Sequence, residues 1–345
     1  MNFDNISPEI KVYLDEISKR LFTHHAAIMV GAGFSKNAEP NNESSRKNFA
    51  DWNDLGNTFY EKLYGKDAKF PQKEFLNVLK LAEEVEATFG RPVLDNILQE
   101  SIPDMEYEPS KLHAKLLNLP WVDIFTTNYD TLLERAAKSV FNRKYTIVLS
   151  KNDLVYASKP RIIKLHGSFP SHTPFIITEE DYRIYPKINA PFVNTVQQSL
   201  LENTLCLIGF SGNDPNFFQW LGWLRDNLEA NISKIYLIGA FDLSATQKKL
   251  LEKRNIVLVN IADNHYDALN LFVEYLSYKA RTNNILLWPY DEVYKTPDSK
   301  NNLEKTLVEI ISVWKKERET YPKWVVLPEE KRTGFFRKTE KWIYF

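Results

Sequence analysis

Cysteine is nearly missing from this chain, with Cys206 the only one. A single cysteine excludes an intrachain disulfide and any zinc site built from cysteine pairs, and it fits a reducing compartment, so a cytoplasmic protein is expected. A charge excess is missing too: 44 basic against 45 acidic side chains leave a formal net charge of -1. That removes the whole-molecule electrostatic case for nucleic acid or an anionic membrane, both of which demand a basic surplus. No apolar run is long enough to span a bilayer. The N-terminal "MNFDNISPEIKVYLDEISKRL" carries acids among its apolar residues, unlike a signal peptide, so neither insertion nor export is expected. Glycine is scarce, at 11 of 345 residues, so the places where it gathers carry information.

What is present is an ordinary globular composition, 43% hydrophobic and 26% charged, enough for one large α/β domain or two modest ones. Short β-branched or aliphatic runs recur between helical patterns: "AAIMV" (26–30), "WVDIFT" (121–126), "RIIKLH" (161–166), "LCLIGF" (205–210), "KIYLIG" (234–239) and "NIVLVNI" (255–261). Their order predicts a Rossmann-like parallel sheet with crossover helices on its faces. Gly31, Gly33, Gly167, Gly209, Gly212 and Gly239 fall at or just past the carboxyl ends of these runs. Ligands of open α/β sheets bind there, so four loops are expected to face one crevice. The stretch between the first two strands, about 41–119, is too long for one crossover helix. Its apolar residues at helical spacing predict a helical insertion subdomain.

The loops carry the chemistry. In "GAGFSK", Gly31 and Gly33 let the backbone turn sharply and approach a diphosphate at a helix start, with Ser35 adding a hydroxyl; a tight turn without ligand would look the same. The pattern is not G-x-G-x-x-G, because Lys36 stands where the last glycine belongs, and no G-x-x-x-x-G-K-[ST] loop exists. In "FTTNYDTLLE", polar residues interrupt an apolar strand, and Thr127 or Asn128 could simply cap the next helix. His166 in "IIKLHGSF" stands at a strand end. His24, His25, His113, His172 and His265 read as packing histidines. In "CLIGFSGNDPNF", Gly209, Ser211 and Gly212 again pair backbone access with a hydroxyl, and Asp214 could cap a helix beginning at Pro215.

The order "GAGFS", "TTNYD", "KLHG", "IGFS" along one chain resembles the sirtuin family, over roughly the first 280 residues. The resemblance implies an NAD-binding domain that breaks the bond between nicotinamide and ribose. It implies a diphosphate site at Gly31, Ala32, Gly33 and Ser35, a ribose and nicotinamide end at Asn128 and Asp130, a catalytic base at His166, and an adenosine side at Gly209 and Ser211. The chain departs from the deacylating branch. One cysteine cannot supply a four-cysteine zinc module, and "NAEPNNESSRKNFADWNDL" replaces the "GIPDFR"-like stretch. With "FADWNDL", "LPWVDIFTTNYDTLLE", "ITEEDY" and "IGFSGNDPNF", it looks instead like the zinc-free sirtuin-like domains of bacterial anti-phage defence proteins, which hydrolyse NAD.

The expected function is therefore NAD glycohydrolysis, with Asn128 and His166 catalytic, NAD as substrate and no metal. A binding module that senses NAD or ADP-ribose without turnover, and a protein deacylase, are the alternatives. A homo-oligomer is expected, together with a phage-derived trigger or a fused or associated sensor domain that controls activity. Residues 281–345 differ in composition and hold Trp288, Trp314, Trp324 and Trp342, which argues against a disordered tail and for a helical connector or oligomerisation region. Ending on "KWIYF" fits a piece of a longer protein.

Overall fold

Strand β1 (Ala26–Val30) is an unbroken apolar run, and all five of its side chains are fully buried. A strand that is apolar at every position must be covered on both faces, which is the situation of an internal parallel strand. The structure, a computed structural model, describes residues 6–41, 49–65, 77–140, 143–210 and 234–283, together with Phe3 and Gly222. The expected connector or oligomerisation region therefore lies almost wholly outside the described residues. After β1 come a short antiparallel pair, β2 (Glu39–Pro40) with β3 (Tyr107–Glu108), and then β4 (Asp123–Thr126), β5 (Thr146–Val148), β6 (Arg161–Lys164), β7 (Thr204–Ile208), β8 (Ile235–Gly239) and β9 (Ile256–Asn260). Among the described residues, seven of these strands form one parallel sheet in the order β5-β6-β4-β1-β7-β8-β9. Ile28 of β1 sits in register with Ile124 on one side and Cys206 on the other.

The chain thus leaves β1 for β4, goes on to β5 at the edge and comes back to place β6 between them, then crosses to lay β7, β8 and β9 on the other side. Strand order reverses at β1, and a crevice opens at such a switch point, outside the carboxyl ends of the strands. One face of the sheet is covered by α8 (Glu179–Ile188), α9 (Ala190–Glu202) and the helix Ala245–Lys253. Tyr182, Tyr185, Val196, Leu200 and Leu251 there join Met29, Phe125, Leu207 and Leu237 in one core. The helix α1 (Pro8–Phe22) packs against β1, β9 and the long helix His265–Thr282, which in turn contacts β8 and α6 (Lys111–Asn118).

The helical insertion comprises α3 (Trp52–Tyr64), α4 (Val78–Phe89) and α5 (Arg91–Ser101). Local chemistry sets its boundaries: Asp51 caps α3 in a reciprocal box with Asp54, Asn77 caps α4, and Gly90 at φ +86° ends α4 and begins α5. Leu55, Phe59, Leu81, Val85, Leu94 and Leu98 then gather with Tyr129, Phe169, Phe175 and Ile177, which belong to the loops after β4 and β6. Arg91 adds an ion pair to Asp181 of α8 at 3.1 Å. The insertion is therefore seated on the loops that carry the polar motifs.

The strands are shorter than the apolar runs that announce them. Trp121 is held back on α6, its Nε1 donating to the Leu116 carbonyl at 3.1 Å, so β4 starts at Asp123. β7 ends at Ile208 because Gly209 turns the chain at φ +73°. Strand β5, three residues at the sheet edge, lies in the short run "YTIVL" (145–149), which was not among the strands expected from the sequence. Among the described residues, no helix is long and apolar enough to cross a membrane.

Candidate active site

A cavity of about 520 Å³ lies in the crevice, walled by the loops after β1, β4, β6, β7 and β8 and by the first turn of α3. Ala32, Gly33, Ser35, Asn128, Asp130, His166 and Gly209 all line it, and Gly31 stands behind the wall. Ser211, Gly212 and Asp214 lie outside the described residues.

The glycines answer first to one another. Gly31 N–H donates to the Ile208 carbonyl at 2.8 Å, and Gly33 N–H to the Gly209 carbonyl at 2.9 Å. A Cβ at Gly31 or Gly33 would stand 2.8 or 2.9 Å from the Gly209 oxygen, and one at Gly209 would stand 2.6 Å from Gly31 O and Phe34 N. The side chains missing at 31 and 33 make room for the backbone after β7, where the sequence reading had placed a diphosphate. The helix that follows, α2 (Ala32–Ser35), is a single turn.

Along the cavity wall runs a buried chain of hydrogen bonds. Asn128 Nδ2 donates to Ser35 Oγ at 2.9 Å, and Ser35 Oγ donates to Asp130 Oδ2 at 2.7 Å. The other carboxylate oxygen accepts Leu132 N–H at 3.2 Å at the start of α7 (Leu132–Ala137). Asp130 and Ser35 thus face each other rather than standing as free ligand groups. Their effect is to fix the Asn128 amide with its Oδ1 left open among the described residues. Thr126 completes the loop: its hydroxyl donates to Val30 O at 2.8 Å and accepts Asn128 N–H at 3.1 Å. Neither Thr127 nor Asn128 caps α7; the capping position is Thr131. Burial, opposed by the charge of Lys164 and the Ser35 hydrogen bond, pushes the Asp130 carboxyl up from its ordinary range.

Lys164, with 1% of its side chain exposed, is a buried cation that sequence reasoning missed, because in "IIKLHG" it sits inside a strand pattern. Its ammonium donates to the Asp130 carbonyl and pairs with Glu134 Oε1 of α7 at 3.1 Å. It therefore joins the loop after β4 to the end of β6, two residues before His166.

His166 is 3% exposed and lies edge-on to Tyr182 and Tyr185, at centroid distances of 5.4 and 5.5 Å. Burial pulls its pKa down to about 3, so the imidazole is neutral. Its Nε2 has no hydrogen-bond partner among the described residues. A buried polar atom without a partner, on a cavity wall, is costly unless a ligand or water completes it. The packing role expected of the other histidines holds for His113, which meets Phe34 edge-on at a centroid distance of 4.7 Å. It does not hold for His265, which is half-buried and lines the cavity with Phe241 and Asp242. Lys36, Asp51 and Trp52 line the opposite rim. Among the described residues no three His, Cys, Asp or Glu side chains converge as a metal site requires.

Residues 122–259 match the family model described as the SIR2-like domain. Among curated proteins, the chain is 30% identical over 237 residues to the "NAD(+) hydrolase ThsA" of Acinetobacter baumannii, covering 67% of this chain and 45% of that one. It is 29% identical to the protein of the same name from Enterococcus faecium, covering 66% and 46%. It is 23% identical to "Defense-associated sirtuin 2" of Bacillus subtilis, covering 75% and 26%. The chain spans less than half the length of these relatives. A solved Sir2 homologue, a point mutant in complex with ADP ribose, aligns at a TM-score of 0.47 and 13% identity, over 81% of this chain and 99% of that one.

Proposed function

This chain carries a SIR2-like domain, and from that premise we propose that it is an NAD glycohydrolase releasing nicotinamide and ADP-ribose. The observation that carries the reading is the unpartnered, neutral Nε2 of His166 on the wall of a cavity shared with a fixed Asn128 amide. The names of the relatives, NAD(+) hydrolases among them, support the same substrate.

The chemistry balances without a cofactor. The bond between ribose C1′ and the pyridinium nitrogen breaks with its electron pair going to the ring, so nicotinamide leaves neutral and needs no general acid. C1′ passes through an oxocarbenium-like state, as in glycoside hydrolysis, and water adds to it. Neutral His166 accepts a hydrogen bond from that water or from a neighbouring ribose hydroxyl as its proton is lost to bulk water, and Asn128 orients the attacking water or the nicotinamide end. Ala32, Gly33 and Ser35, with Gly31 behind them, form the diphosphate side in this reading. Asp130 acts through Ser35, and Gly209 flanks the adenosine side.

The wider proposal is a regulated anti-phage effector that depletes NAD in the cytoplasm. It works as a homo-oligomer of even number and is released by a phage-derived partner or a sensor domain. The experiment is product analysis after incubation with NAD. Nicotinamide and ADP-ribose are expected from the wild type, and His166→Ala and Asn128→Ala each cut kcat/KM by at least ~100-fold with an intact thermal transition. Unchanged NAD with tight binding would leave a sensing module, and acyl-ADP-ribose in the presence of an acylated peptide would restore the deacylase. Near-native turnover by either variant would remove that residue from the catalytic pair.

A further inference from the structure

Among the described residues, Lys36 is the only lysine or arginine lining the cavity, while Asp51, Asp130 and Asp242 supply negative charge. Two of those acids are occupied: Asp130 by Ser35, and Asp51 by Lys36 itself, Nζ to Oδ2 at 3.2 Å. The Lys36–Asp51 pair crosses from the residue after α2 to the capping residue of α3, with side chains 48% and 44% exposed. An ion pair so open to solvent contributes little to stability, so a ligand of higher charge displaces it easily. Asp51 would not be stranded by the exchange. Its Oδ1 accepts both Asn53 N–H and Asp54 N–H at 3.0 Å, so it keeps its capping role without the lysine. The charge of Lys36 also reaches the far wall: His265 is held below the ordinary imidazole range by burial first and by Lys36 second.

We infer that Lys36 is the cation that receives a dinucleotide's diphosphate, and that Asp51 is the partner holding it at the rim until the ligand displaces it. The inference deepens the reading of this cavity as an NAD site and rests on it. A doubly charged diphosphate entering a cavity lined also by the carboxylate of Asp242 needs a compensating cation, and a flexible ammonium beside the glycine turn supplies one. The consequence is that affinity resides in the diphosphate rather than the nucleoside, and that it falls with ionic strength.

The test is calorimetric binding of ADP and of adenosine, so that it does not depend on turnover. Lys36→Ala is expected to weaken ADP about tenfold, the usual effect of losing a hydrogen bond to a charged group, with adenosine unchanged. Lys36→Arg retains ADP binding. Asp51→Asn, which keeps the helix cap, tightens ADP by removing the competitor. The inference is overturned if the wild type binds no ADP, if Lys36→Ala binds ADP as the wild type does, or if adenosine and ADP weaken equally. Nicotinamide release is measured alongside: a wild type that binds ADP through Lys36 yet cleaves no NAD sinks the hydrolase reading and leaves this one standing.

Discussion

Two histidines are forced to stay neutral inside the fold. Burial brings His113 to about 3, with the charge of Arg135 adding to it, and brings His166 to about 3 by burial alone. Unfolded, each binds a proton below its ordinary 6.5, so between 6.5 and 3 the unfolded chain holds more protons than the native one. Stability is therefore complete above 6.5 and lost as pH falls through that window. Asp130, whose carboxyl is pushed up by burial, pulls the other way, so the comparison needs a matched variant. His113→Gln supplies it, because glutamine three residues after Ser110 preserves the capping box that His113 closes. The denaturant midpoint of the wild type is expected to drop between pH 7 and 4.5, and that of His113→Gln to drop less; parallel curves would exclude His113 as a source of the acid loss. The same depression means that kcat/KM for NAD should show no acid limb from His166 between pH 8 and 5, whereas an ordinary histidine would give one near 6.5. Lys164 carries a further stability effect: Lys164→Met leaves the half-buried Glu134 without its cation and should cost about 3 kcal/mol in equilibrium unfolding, a loss absent if the pair contributes nothing.

At the scale of elements, the site hangs on a backbone contact between two turns, Gly31 to Phe34 and Ile208 to Phe210. Gly209→Ala combines a φ of +73° with a Cβ 2.6 Å from two backbone atoms, so a loss of about 1–3 kcal/mol and a collapse of ADP affinity are expected together. Native-like stability would show that the turns can separate at no cost. These elements also mark what was legible in the sequence. The central strands were readable because apolar runs without alternation demand cover on both faces, and the candidate residues fell at strand ends because a parallel sheet sends them there. The partners of those residues were not readable. Gly31 and Gly33 announce that something comes close, but not that it is Gly209, since nothing in a linear chain pairs the two turns. Lys164 was hidden because a lone lysine in an aliphatic run looks like a solvent-facing position until the strand proves internal. His265 was misplaced with the packing histidines because only the folding of β8 and β9 beside β7 brings the start of its helix to the crevice.

At the scale of the whole molecule, the cavity has two supports that do not depend on each other's sequence: the sheet, and the insertion seated on Tyr129, Phe169, Phe175 and Ile177. The long C-terminal helix of the described region buries Ala280 and runs to Thr282, so a shortened chain must keep it whole. A chain ending after Asn283 is expected to fold with an unchanged thermal transition, and light scattering beside NAD turnover, compared with the full chain, tests the proposed role of the following residues in assembly. The same number of subunits and the same turnover in both chains would remove them from the mechanism.

The pairing of β1 has one more consequence. The first strand of the sheet finds its neighbours only in β4 and β7, and the last residue of the cavity wall is His265. A chain emerging from the ribosome therefore carries its glycine turn long before the strand that shapes it, and it cannot close the crevice until the helix beginning at His265 is outside. On the proposed reading of the cavity, NAD cleavage therefore waits for the helix that starts at His265, and topology alone holds it back until then.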